Sequence, residues 1–111
     1  MKKSVKVLSI SILLLFSNWA SAGFYSATDL MQTLEKDMRG EASYDVGLFS
    51  GYIVGVFDVG SGILFCAPNG VSMKQVKRVV FNYMNNNPGK WGSSASDIVI
   101  ESLQKTWPCK K

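Results

Sequence analysis

No histidine occurs anywhere in the sequence. The side chain most often recruited as a general base near neutral pH is therefore missing, which weakens serine- and cysteine-based nucleophilic chemistry alike. The many serines show no nucleophile-elbow spacing. No His/Cys/Asp/Glu cluster has metal-ligand spacing, and no glycine-rich loop opens a helix after a strand. The chain reads as a non-enzyme with neither a cofactor nor a metal.

Surplus charge is also scarce once the first residues are set aside. Lys2, Lys3 and Lys6 precede an apolar run from Val7 to Phe16 and a small-residue site at Ala20-Ser21-Ala22, the order of a cleavable export signal. The apolar run is too short to span a bilayer and is interrupted by Ser17-Asn18, so no membrane attachment is expected after cleavage. Removing 22 residues from 111 leaves 89, with nine basic against eight acidic side chains. The formal charge of +4 thus shrinks to +1, and nucleic-acid binding is excluded on charge grounds.

Cysteine is the third scarcity. Only Cys66 and Cys109 are present, and no cysteine follows the cleavage site to accept a lipid. Behind an export signal, two thiols are expected to form one disulfide. Closing a loop of roughly 44 residues would stabilise a small domain by about 4 kcal/mol. Residues 23–111 are expected to form one domain, since no repeat, low-complexity tract or linker divides them.

What is present is helical patterning, and four helices are expected. The first spans Asp29–Arg39, capped by Thr28, with Leu30, Leu34 and Met38 on one face and Gly40 ending it. The second spans Tyr44–Phe65 and is apolar nearly all round, which predicts a buried central helix. Its Gly47, Gly51 and Gly55 form a ladder against which another backbone would pack closely, and Asp58 is expected to pair with a basic side chain or backbone amides. The third opens with Ser72 and Gln75 in capping-box spacing and carries Met73, Val76, Val79, Val80, Tyr83 and Met84 at helical period. It stops at Pro88-Gly89. The fourth starts with Ser94 and Asp97, again in capping-box spacing, and ends near Thr106 beside Pro108 and Cys109. The fold class is all-α: a small four-helix bundle with one disulfide.

Two surface features suggest a protein partner. Phe81 falls about 120° from the core stripe of its helix, among Lys74, Lys77 and Asn85, where it would either contact a partner or pack under another helix. Lys74, Lys77 and Arg78 otherwise read as a solvated face. The loop Asn87–Ser93 places Trp91 beside Lys90 and two glycines, and tryptophan in a polar loop is a typical interface anchor; folded back, it would be a lid over the core.

The order and spacing of several short motifs resemble the Rap/Tai immunity family. They are Gly51-Tyr52-Ile53-Val54-Gly55-Val56, Asp58, Phe65-Cys66-Ala67-Pro68-Asn69-Gly70-Val71-Ser72, Gln75-Val76, Val79-Val80, Tyr83 and Pro88. Ala95-Ser96-Asp97-Ile98-Val99, Leu103 and Trp107-Pro108-Cys109 complete the set. The resemblance implies a periplasmic, all-helical, disulfide-bonded protein, often a homodimer, that blocks a type VI secretion peptidoglycan amidase by inserting a loop into its catalytic groove. It makes Asn87, Lys90, Trp91 and Ser93 candidate plug residues with Phe81 and Lys77 flanking them, and leaves Ala67–Val71 as the competing loop. The chain departs from many members at Leu34 and Phe49, where a second cysteine pair would stand, and at Gly89-Lys90-Trp91-Gly92, where relatives often carry charged residues and a histidine. A periplasmic stress chaperone, or an envelope structural or assembly protein without a toxin partner, is the competing reading; a chaperone of that kind would lose compactness in acid.

Overall fold

The structure is a computed structural model that describes residues 23–110; the export signal expected over residues 1–22 lies outside the described residues. Among the described residues there are four α-helices: α1 (Ala27–Met38), α2 (Tyr44–Gly60), α3 (Met73–Asn86) and α4 (Ala95–Thr106), with a 3-10 turn at Pro88–Lys90. No described helix is long and apolar enough to cross a membrane.

Each helix start follows from local side-chain chemistry. Ser72 and Gln75 form the expected reciprocal capping box at α3, the Ser72 hydroxyl accepting from the Gln75 amide and the Gln75 carboxamide accepting from the Ser72 amide. Helix α1 begins two residues earlier than expected. Ser26, not Thr28, is its cap and exchanges hydrogen bonds with Asp29, while Thr28 turns its hydroxyl to the carbonyl of Trp91. At α4 only half of the expected box is formed: Ser94 accepts from the Asp97 amide.

The core follows the predicted stripes except at Met73, which opens α3 and is exposed. Leu30, Met31 and Leu34 from α1 meet Val76, Val80 and Met84 from α3 and Ile98, Val99 and Leu103 from α4, all buried. Leu34 and Phe49, where the resemblance would put a second cysteine pair, are buried in this same core. Helix α3 packs most extensively on α4.

Helix α2 departs from expectation in two ways. It stops at Gly60, not Phe65, because the chain turns back there. The Gly62 amide donates to the Phe65 carbonyl at 2.7 Å, and Gly62 adopts φ +85°, a left-handed conformation that favours glycine. This folds the fully buried Phe65 ring against Gly60, where an added Cβ would lie 2.7 Å from the ring. Cys66 then bonds to Cys109, and its amide donates to the Trp107 carbonyl, joining this turn to the end of α4.

The second departure is burial. Only Phe49, Ile53 and Gly60 of α2 are buried, whereas Tyr44, Val59 and, just beyond, Ile63 are mostly exposed. A Cβ at Gly47, Gly51 or Gly55 would meet nothing within 4 Å. Among the described residues the glycine ladder therefore receives no neighbouring helix, and α2 is not a buried central helix. Asp58, expected to be paired, is exposed and makes no ion pair among the described residues.

Candidate docking site at the α3–α4 connection

The connection from α3 to α4 is short and held from several sides. The 3-10 turn is closed by the Lys90 amide on the Asn87 carbonyl and the Trp91 amide on the Pro88 carbonyl. Asn87 folds its carboxamide back to donate to the Tyr83 carbonyl at 2.7 Å. Past the turn, the Ala27 amide donates to the Ser93 carbonyl and the Ala95 amide to the Tyr25 carbonyl. The N-terminal segment thus clamps the far end of the loop. Tyr25 is itself fixed by edge contacts with Phe49 and Tyr52, at 5.0 and 5.6 Å between ring centroids.

Trp91 is half-buried and packs against the core. Its indole N–H donates to the Met84 carbonyl at 2.8 Å, capping the open end of α3. Phe81 is also half-buried against the core. The outer rim of the connection belongs to Pro88, Gly89 and Gly92, all exposed, and a Cβ at either glycine would meet nothing within 4 Å.

Lys90 contributes a polar tether. Its ammonium donates to the Tyr83 hydroxyl at 3.0 Å and to the Glu101 carboxylate, and it lies 5.6 Å from the centroid of the Tyr83 ring. The Glu101 hydrogen bond raises the Lys90 pKa, with Tyr83 adding to it. The same bond lowers the Glu101 pKa, and Lys105 contributes in the same direction. A lowered carboxylate pKa stabilises the fold above the ordinary glutamate range and loses that contribution in acid. A raised lysine pKa stabilises below the ordinary lysine range and loses it in alkali. The tether is therefore complete between about pH 5 and pH 10. Both side chains are more than a third exposed, so solvent screening makes the tether a local constraint on the loop and not a large part of global stability. Glu101→Gln is expected to leave the melting temperature nearly unchanged at pH 7 while speeding amide hydrogen exchange at Lys90 to Gly92.

Lys77, expected on a solvated face, is instead drawn inward. Its ammonium lies 2.6 Å from Asp37 Oδ2 and 3.3 Å from the Ser50 hydroxyl, joining α3 to α1 and α2. Asp37 Oδ2 is buried and makes no aligned hydrogen bond, so the contact with Lys77 is ionic. Sequence reasoning missed both Asp37 and Glu101 because each meets its lysine only through tertiary packing. The structure gathers Asn87, Lys90, Trp91 and Ser93 in one connection and leaves Lys77 on the α1 side of α3.

The competing loop, Ala67–Val71, exposes Pro68, Asn69 and Gly70, the last at φ +83°. Among the described residues no group of His, Cys, Asp and Glu could hold a metal ion. Comparison with protein families gives a match over residues 24–109 to the family of Rap1a immunity proteins. No curated protein matches the chain.

Proposed function

Because the chain belongs to the Rap1a immunity proteins, a family whose members bind a cognate effector, we propose that it acts in the periplasm on a type VI secretion peptidoglycan amidase. In this reading residues 1–22 are a cleaved export signal, and the connection 87–93 enters the catalytic groove of the toxin. The observation that carries it is the combination of a loop fixed at both ends with an unencumbered rim at Pro88, Gly89 and Gly92. A loop already held in shape loses little conformational entropy on docking, which favours tight binding. Inhibition is steric: the amidase is occluded, and no chemistry is asked of the inhibitor.

The test is hydrolysis of peptidoglycan crosslinks by an amidase encoded beside this protein, with and without an equimolar amount of residues 23–111. Stoichiometric loss of activity is expected. Full activity together with no complex on a sizing column would remove that amidase as the target.

The reading also includes a homodimer formed through α2. An apolar groove of about 500 Å3 runs along this helix, lined by Gly51, Gly55, Val56, Val59, Leu64 and Ile100. Exposed apolar surface of this kind commonly marks a protein contact, and the open glycines allow close backbone approach. Val59→Glu is expected to shift the protein to the monomer on a sizing column without changing its helical circular dichroism. An unchanged elution volume would remove α2 from the interface.

A further inference from the structure

The charge of the chain is divided along its length. From Ala27 to Asp58 there are six acidic and two basic side chains; from Val59 to Ser96 there are four basic side chains and no acid. Of those four, Lys77 is neutralised by Asp37 and Lys90 by Glu101. Lys74 and Arg78 are exposed and take part in no ion pair among the described residues.

These two cations lie four residues apart on α3, so they project from the same face one turn from each other. Beside them is a groove of about 410 Å3 that Ser72, Gln75, Val79 and the half-buried indole of Trp107 also line, the last two giving it an apolar floor. Lys74 and Arg78 also border a second, more polar hollow with Met38, Gly40 and the Asp37–Lys77 pair. The wall formed by Trp107 is fixed from behind, since its carbonyl accepts from Cys66 and the next residue but one is disulfide-bonded. The groove sits on the first half of α3, roughly 15 to 20 Å along the helix from the connection at its other end.

We propose that this groove is a second docking site, and that it takes an acidic, apolar segment of a partner protein. Two carboxylates one helical turn apart meet Lys74 and Arg78, and an apolar side chain between them fills the space over Val79 and Trp107. Charge complementarity selects the partner's sign, and the apolar floor distinguishes a peptide from a simple anion. An anionic membrane is the poorer fit: surface attachment of that kind draws on clusters of about four to eight basic side chains, and this groove is lined by two, Lys74 and Arg78. The inference is independent of the amidase reading, because it uses neither the connection 87–93 nor its residues.

The test is a titration of isotopically labelled residues 23–111, followed by amide and indole NMR shifts. The probe is a short amphipathic peptide with two glutamates one turn apart and leucines between them. Saturable shifts at Lys74, Arg78, Val79 and the Trp107 indole are expected, weakening as salt rises from about 0.05 to 0.5 M. The double variant K74E/R78E is expected to keep the rest of the spectrum and to weaken binding at least about tenfold. Lysine in place of glutamate in the peptide should abolish the shifts. Absence of shifts with the acidic peptide, shifts that survive K74E/R78E, or equal binding of the lysine peptide would overturn the proposal. Vesicles of anionic phospholipid serve as the last arm; perturbation of the same residues by vesicles but not by peptide would replace the protein partner with a membrane surface.

Discussion

Replacing Cys66 and Cys109 together by serine is expected to destabilise residues 23–111 by about 4 kcal/mol, the loop-closure value for a separation of 43 residues. Domains of this size commonly have only about 5 to 15 kcal/mol in total. For such a domain each kcal/mol moves the melting temperature by about 4 to 8 °C, so a fall of roughly 15 to 30 °C should appear in thermal unfolding followed by circular dichroism. The position of the bridge argues for the upper part of that range. Without it, the turn after α2 is held to α4 by the Cys66 amide on the Trp107 carbonyl and by burial of Phe65, while Trp107 itself is only half-buried. Reductant should give the same loss in wild type and none in the double serine variant. A fall of less than about 5 °C would mean that packing around Phe65 and Trp107 carries this junction and the bridge adds little.

What the sequence made legible was local. The Ser72–Gln75 box could be read because a cap and its partner stand three residues apart, and the Val76, Val80, Met84 stripe because burial on one face leaves a helical period. The start of α1 was misplaced for a related reason: Ser26 and Thr28 are both competent caps, and only the fold shows that the Thr28 hydroxyl goes to Trp91. Helix α2 misled for a deeper reason. Uniform apolarity says that a helix is covered, not by what, and a face open in one chain has the same pattern as one buried within it. The open Cβ space at Gly47, Gly51 and Gly55 shows that no other described residue covers this face. Charge pairing was the least legible. Lys77 and Asp37 lie on different helices, and nothing in the composition of either helix distinguishes Lys77 from the exposed Lys74.

That difference between local and tertiary information decides how the plug should be tested. Alanine at Trp91 is ambiguous, because it removes packing against the core and the hydrogen bond that caps α3. Added bulk on the rim is cleaner. Gly89 and Gly92 lie in open space and have no positive φ, so Gly89→Arg and Gly92→Arg are expected to fold with a melting temperature close to wild type. If the connection fills an enzyme groove, the same side chains collide with its walls. Expected losses are about 2 to 4 kcal/mol, or roughly thirty- to nearly a thousandfold in Kd for the amidase. The matching variant in the other loop is Asn69→Arg, since Asn69 is exposed and Gly70 is in the left-handed conformation and should be left alone. Binding lost in Gly89→Arg and Gly92→Arg but kept in Asn69→Arg assigns the plug to the α3–α4 connection. The reverse pattern moves it to the loop Ala67–Val71, where the disulfide rather than Trp91 would hold the inhibitor in shape.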